Sequence, residues 1–515
     1  MKRPQLISPG SLNRMIAEAA EAWNRGDWPQ SLELLERAAK LDPANIHILL
    51  NLGERHGFRY RSADAERCFE KAARLAPNKT EVLATAGRLA AGFGDYPLAE
   101  RFFRSALEQK NVSADTVARL AEIYERLRRP EDAATLVEHA LRLDNNCPLA
   151  RLTQAKLHRS AGKLAEAEAV LRPALTCASR ELRSRSFYEL GALCDRQGRY
   201  DDAMAAWLEA KNCLRPDAPA PLAQLQPIIR HLLEMQQNVS AELLARWSAS
   251  GRESLQPSHR LAFLGGHARS GTTLLEQVLD AHPDLVSAEE TTIFHDEAFA
   301  PLQRAAPPNA SLLAGLDGAP VELLRSGRKR YFQAMAARLG QPPEPRLLID
   351  KNPNIQNLLV AFVRFFPEAK LLIALRDPRD VVLSCFMQPH VPLMPGSVNY
   401  LTLEGAAAAY ARTMGIWRTL KPLLPNPVLE VRYEDMVEDL ESVARKSLGF
   451  LGVPWDAKVL GFDEHARKKL VRSPTYADVT QPVYKRAKGR WQHYQKHLEP
   501  HLEKLEPFVK AFGYE

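Results

Sequence analysis

The stretch Leu261–Pro283, LAFLGGHARSGTTLLEQVLDAHP, decides how the second half of the chain folds. A short apolar run, Leu261 to Leu264, reads as a buried strand. It meets Gly265 and Gly266, then Arg269-Ser270-Gly271-Thr272-Thr273, and then leucines at helical spacing. Strand, tight loop and helix N-terminus together cradle anions. Glycines let successive N–H groups turn inward, and the helix adds its free amides and positive dipole end. Thr272 and Thr273 offer hydroxyls, and Arg269 offers a planar fork matched to a tetrahedral oxyanion. A loop that holds a magnesium triphosphate carries Gly-Lys-Ser/Thr, whose lysine reaches the β- and γ-phosphates. Here the equivalent residues are Gly271-Thr272-Thr273, so the loop suits a phosphate-like group but lacks the triphosphate's main clamp.

Three further apolar runs, RLLID, KLLIALR and VLEVRY, lie between helical patterns at Thr272–Ala281, Asn354–Phe366, Arg379–Met387 and Glu404–Leu423. Alternating strands and helices imply a parallel sheet covered on both faces, with ligands at the carboxyl ends of its strands. Arg269, Lys351 and Arg376 follow three of these runs directly, so they are expected to converge on one site.

The first half repeats itself. Gly26, Tyr60, Gly94, Arg128 and Gly162 stand 34 residues apart, and Ala38, Ala72, Ala106, Ala140 and Ala174 keep the same register. A sixth unit, with Gly198 and Ala210, is displaced by two residues. Small residues let paired helices approach, and units too small for their own core must stack. This resembles the tetratricopeptide repeat. The implied fold class is multidomain: an all-α tetratricopeptide solenoid followed by an α/β domain with a parallel sheet. We expect the array over residues 11–215, a linker and helical connection over 216–259 around PDAPAPLAQLQP, and the α/β domain over 260–515.

Composition excludes several classes. The chain has 515 residues, 45% hydrophobic and 25% charged, and a net charge of +7. Its basic residues are spread out rather than gathered into an arm for nucleic acid. The six cysteines form no CxxC pair, so neither a zinc site nor a dense disulfide framework is expected. The N-terminal MKRPQLISPG has no apolar core of a signal peptide, and no run reaches membrane-spanning length. The expected setting is cytoplasmic, without metal, membrane or nucleic acid.

The segment ARSGTTLLEQVLDAHPDLVSAEET, with DKNP, RDPRDVVLS, VRYEDM, RSPT and GRWQHY, resembles the sulfotransferases that use 3′-phosphoadenosine 5′-phosphosulfate (PAPS), above all the tyrosylprotein sulfotransferase branch. The resemblance implies that Arg269, Ser270, Gly271, Thr272 and Thr273 bind the 5′-phosphosulfate. Arg376 and Ser384 would hold the 3′-phosphate, and Tyr433, Ser473 and Arg490 would be further cofactor contacts. It places Lys351 beside the transferred sulfuryl group and makes Glu290 the general base, with Arg269 sharing the charge stabilisation. PAPS would be the donor and 3′,5′-adenosine diphosphate (PAP) the product, without metal. The acceptor is a hydroxyl: a peptide or protein tyrosine bound by the repeat groove, a glycan or a small molecule. Two departures stand out. His267-Ala268 replaces the proline usual beside the arginine, and the segments Asp296–Pro345 and Gln388–Leu403 show no match. The loop MQPHVPLMPGSVNYL is expected to border the acceptor cleft. The competing readings are a P-loop kinase or NTPase, disfavoured by the missing loop lysine, and a non-catalytic repeat scaffold.

Overall fold

A computed structural model describes residues 9–307, 309–353, 358–468, 479–481, 483 and 487–515. The chain divides into two compact units, residues 1–206 and 207–515. The division falls inside the helix Tyr200–Leu214, which carries the last repeat signature.

The first unit is a run of paired antiparallel helices, from Pro9–Asn24 and Trp28–Leu41 onward. The sequence columns are its joints. Gly26, Tyr60, Gly94, Arg128, Gly162 and Gly198 all adopt φ between 58° and 78°, the left-handed turn that ends one helix and admits the next. The alanine column is the seam: Ala38, Ala72, Ala106 and Ala140 are fully buried. The helices pass so closely that a Cβ on Gly53 would come within 2.4 Å of the Phe69 ring.

The run read as a linker is instead the start of a helix, Pro219–Asn238, followed by a second, Ala241–Ser254, both inside the second unit. Proline at the first helical position costs no hydrogen bond, and Pro219 and Pro221 fall in that opening turn. Trp247 of the second helix is buried, with its indole N–H donating to Asp317 at 2.7 Å.

The second unit is built on a five-stranded parallel sheet: β1 (Leu261–Gly266), β2 (Leu285–Glu290), β3 (Leu347–Lys351), β4 (Lys370–Leu375) and β5 (Val428–Arg432), in the order β2-β3-β1-β4-β5. Alternate residues of β1 serve opposite faces. Ala262 and Leu264 pack with Leu275, Val278 and Leu279 of the helix Thr272–Asp280. Phe263 turns the other way and meets Phe362 at 4.9 Å, within an aromatic cluster that includes Phe294 and Phe366. Four of the five strands match the apolar runs of the sequence. β2 was not anticipated, because it ends in Glu289-Glu290 and its backbone is irregular.

The order reverses at β1, which lies between β3 and β4. The crevice at a reversal of this kind, beyond the carboxyl ends of the strands, is where such sheets receive ligands.

The left-handed turns set a stability prediction. Gly94→Ala places a Cβ at φ +77° and should destabilise the repeat array by about 1–2 kcal/mol. Gly92→Ala, in the preceding helix with open space around the added methyl, should be neutral or stabilising by roughly 0.5–1 kcal/mol. Thermal unfolding of the two variants checks the opposite signs.

Candidate active site at the strand termini

The phosphate-type loop is shaped by close approach. Gly266 sits at φ 140°, and a Cβ there would lie 2.5 Å from the Ala374 carbonyl of the neighbouring strand. Gly271, at φ 91°, caps the helix Thr272–Asp280 with no side-chain cap bond, so the first-turn amides face the loop without a capping side chain. A Cβ at Gly271 would strike Tyr433 at 2.8 Å. Arg269 itself has φ 71°. Left-handed backbone at a non-glycine residue costs on the order of 1–3 kcal/mol, and such residues gather where function holds them. Among the described residues of the second unit, Glu289 is the other non-glycine residue with positive φ, at 62°.

Arg269, Arg376 and Ser384 meet. Arg269 Nε donates to Ser384 Oγ at 3.1 Å, and Arg376 Nη1 donates to the Arg269 carbonyl at 3.1 Å. Arg376 Nη2 donates to the Ala487 carbonyl, its Nε is buried without a hydrogen-bond partner, and its guanidinium lies 4.8 Å from the Tyr433 ring centre. Tyr433 therefore touches both the loop and Arg376. Ser270 and Thr272 are buried in the loop, and Thr273 is half-buried. Arg490 is half-buried at the start of a short turn whose neighbours Gly489 and Trp491 donate backbone N–H bonds to Asp380, each at 2.8 Å. Asp380 is itself 3.8 Å from Arg376. Burial pushes its carboxyl up, against the Arg376 charge and those two amides. Ser473 lies outside the described residues.

Lys351 and Glu290 form a second group on the other side of β1. Their backbones are partners in the β2–β3 ladder, and Lys351 Nζ is 2.9 Å from Glu290 Oε1. The ammonium also lies 3.0 Å from Glu276 Oε2 and 3.5 Å from Thr273 Oγ1. The side chains of Lys351 and Glu276 are both wholly buried, whereas Glu290 is 46% exposed. Burial works against the Lys351 ammonium, but Glu276 and Glu290 outweigh it and hold it above the ordinary lysine range. Sequence reasoning missed Glu276. Its spacing places it on the inward face of the helix, but β2, whose Ser287 takes its other oxygen, was not expected.

A third group backs the loop. His267 is buried, donates from Nδ1 to the Ala268 carbonyl at 2.9 Å and rests on Tyr410. Burial lowers its pKa to about 4, so the imidazole is neutral. Burial likewise pushes the Cys385 thiol up to about 12. The loop after Ser384 folds back here, with His390 stacked on Tyr400 at 4.9 Å. Within this loop Met387, Val398, Tyr400 and Leu401 are buried, whereas Met394 is 59% exposed. Among the described residues no cluster of His, Cys, Asp and Glu is arranged to hold a metal, and no helix is long and apolar enough to cross a membrane.

Comparison with known proteins agrees with this architecture. Residues 262–457 match the family model described as the sulfotransferase family, and residues 89–157 and 152–217 match tetratricopeptide repeats. The chain thus carries a sulfotransferase-family domain behind tetratricopeptide repeats. A Protein-tyrosine sulfotransferase of Drosophila melanogaster is 29% identical over 247 residues, 45% of this chain and 46% of that one. An uncharacterised protein of Aquifex aeolicus is 24% identical over 343 residues, 64% of this chain and 42% of that one. The chain thus spans about half the length of these two relatives. The sulfotransferase domain from the Synechococcus PCC 7002 olefin synthase aligns at 21% identity and a TM-score of 0.36, over 49% of this chain and 96% of that one.

Beneath the site, buried Asp350 accepts from the Tyr331 hydroxyl at 2.8 Å. Burial pushes its pKa up to about 7, with Glu276 adding to the rise and the Tyr331 bond opposing it. A folded-state carboxyl raised in this way favours the protonated form. Its contribution to stability is complete below about pH 4 and is lost as the pH rises through about 7. Asp350→Asn should therefore flatten the loss of stability between those limits and raise the melting temperature at pH 8, with little change at pH 4. Melting curves across this range check it.

Proposed function

We propose that this protein transfers a sulfuryl group from PAPS to a hydroxyl acceptor. The observation that carries the proposal is the meeting of Arg269, Ser384 and Arg376 on one side of β1 with the Lys351–Glu290 pair on the other. The first group suits a dianionic ribose phosphate and a phosphosulfate. The second suits a hydroxyl that must lose its proton.

The donor's fit is tested by the residues themselves. Glycine is required by the close contacts at Gly266 and Gly271, the helix start lacks a side-chain cap, and Arg376 Nε is buried without a partner. These features leave amide and guanidinium donors for an anion. In this reading Arg269, Ser270, Gly271, Thr272 and Thr273 hold the 5′-phosphosulfate, Arg376 and Ser384 hold the 3′-phosphate, and Tyr433, Ser473 and Arg490 complete the pocket. PAPS would supply an activated sulfuryl group.

The chain's part is to bind, orient and move one proton. Glu290 takes the proton of the acceptor hydroxyl, a contribution of roughly 10²–10⁴-fold. The acceptor oxygen bonds to sulfur as the bond from sulfur to the 5′-phosphate oxygen breaks, and PAP leaves. Lys351 and Arg269 stabilise the charge that grows on the sulfuryl and leaving oxygens. No step calls for a metal. A peptide or protein tyrosine is the acceptor that the relatives' names support, and the repeats would supply its groove. The fold and domain division also allow a glycan or small-molecule hydroxyl. We take the catalytic domain to run over residues 260–515 and the array over 11–215.

Calorimetric titration with PAP tests the donor first. Wild-type protein should bind PAP more tightly than adenosine 5′-monophosphate, and Arg376→Ala should abolish that preference. Equal weakening of both ligands would remove Arg376 from the 3′-phosphate. Glu290→Ala should bind PAP normally but release PAP from PAPS and a tyrosine peptide about 10²–10⁴ times more slowly. Unchanged turnover would exclude it as the base.

A further inference from the structure

β2 contains a register shift between Ser287 and Glu290. In an unbroken strand, residues three apart point to opposite faces. The bulge changes that, with Glu289 at φ 62° as the extra residue. Ser287 and Glu290 thus both reach the same buried cluster. Ser287 Oγ donates to Glu276 Oε1, and Glu290 reaches Lys351, which in turn holds the other Glu276 oxygen. Ser287 is fixed twice more: its N–H donates to Asp280 Oδ1 at 2.6 Å, and its Oγ accepts from the Glu289 N–H at 3.1 Å. Glu276 and Asp280 are one turn apart on the same helix face. That helix therefore grips the bulge at both ends of a single turn.

From this geometry we infer that Glu276 is a positioning residue for the Lys351–Glu290 pair, acting by its charge on Lys351 and by its hydrogen bond to Ser287 on the aim of Glu290. The inference rests on the proposed sulfuryl transfer. The charge part works as follows. If Glu290 were the sole counter-ion of a buried ammonium, taking up the acceptor proton would strand that ammonium without a partner. Glu276, wholly buried and bonded to Ser287, remains as the partner while Glu290 turns to the acceptor. The aiming part is the bulge, which the Ser287 hydroxyl closes from inside.

Other charged groups border this cluster. Asp350 lies on β3. Asp280 lies on the same helix, with His465 of the helix Phe462–Lys468 at 2.9 Å. Glu289 lies on the bulge, with Arg338 of the helix Val321–Leu339 at 3.8 Å. Of these, Asp350 is coupled to Glu276, so it needs its own control.

The experiment uses the full chain, PAPS and a panel of a tyrosine peptide, a phenol and a monosaccharide, with kcat measured against pH. Wild type must release PAP with at least one acceptor, and Glu290→Ala must be about 10²–10⁴ times slower. A wild type without turnover sinks sulfuryl transfer, whereas Glu290→Ala at the wild-type rate removes only Glu290 as the base; either result ends this inference. Given that step, Glu276→Gln keeps the shape and an acceptor for Ser287 but removes the charge. Its kcat should fall roughly 10- to 100-fold with PAP affinity unchanged. Its acid limb should move to lower pH, because the Glu290 carboxylate then faces the Lys351 ammonium alone. The same displacement should appear in an Asp350→Asn background. Glu276→Asp, which keeps the charge, should recover part of the rate and return the limb towards wild type. Ser287→Ala should lower kcat while leaving the limb in place, since it disturbs aim and not charge. Glu276→Gln with a wild-type limb, or Ser287→Ala with wild-type kcat, overturns the inference. Should Glu276→Gln lose its melting transition or its PAP binding, the Ser287→Ala result decides alone.

Discussion

The second unit depends on how one ammonium is kept out of water. Burying an unpaired ammonium costs several kcal/mol even after relaxation, so Lys351 is tolerable only with Glu276 beside it. That requirement fixes the helix Thr272–Asp280 against β3 to within hydrogen-bonding distance. The helix in turn starts at Gly271, so its docking also sets the loop that precedes it. On the far side the Glu276 carboxylate needs a donor for its second oxygen. Ser287 of β2 supplies it, and the bulge that follows brings Glu290 to the same cluster. Loop, helix, sheet edge and bulge are thus solutions to one electrostatic problem.

How much of this could be read in the sequence follows from the kind of constraint involved. Strictly local constraints were legible. A left-handed residue between helices demands glycine or pays for its absence, so Gly26, Gly94 and Gly162 wrote the repeat into one column, and Tyr60 and Arg128 interrupted the pattern without changing the turn. The strands β1, β3, β4 and β5 were legible because parallel strands buried on both faces are continuously apolar. Lys351 and Arg376 were legible because they end such runs. β2 was not: LVSAEE mixes apolar, small and acidic residues, and its bulge breaks the alternation that marks a strand. Glu276 escaped for a related reason. A glutamate among leucines on a helix reads as a solvated residue until the strand and lysine that bury it are known. The proline-rich start of the second unit misled in the other direction, since proline permits a first helical turn as readily as a linker.

The two sides of β1 treat charge in opposite ways, and this asymmetry gives the site its direction. On the β1–β4 side the cationic groups are held largely by neutral acceptors: the Ser384 hydroxyl for Arg269, and the Arg269 and Ala487 carbonyls for Arg376. Asp380 is 3.8 Å from Arg376 and spends both oxygens on the Gly489 and Trp491 amides. Neutral acceptors orient a guanidinium without cancelling its field, so that side remains attractive to an anion. On the β2–β3 side the balance is reversed. One ammonium is shared by two carboxylates, which leaves a local excess of negative charge whose outer member, Glu290, is half in solvent. The first side thus attracts an anion, and on the second the half-exposed Glu290 carboxylate attracts a proton. Thr273, in the first turn of the helix Thr272–Asp280 that follows the loop, has its hydroxyl 3.5 Å from Lys351. In the proposed reaction this asymmetry would place the donor's phosphates beside Arg269 and Arg376 and the acceptor hydroxyl beside Glu290.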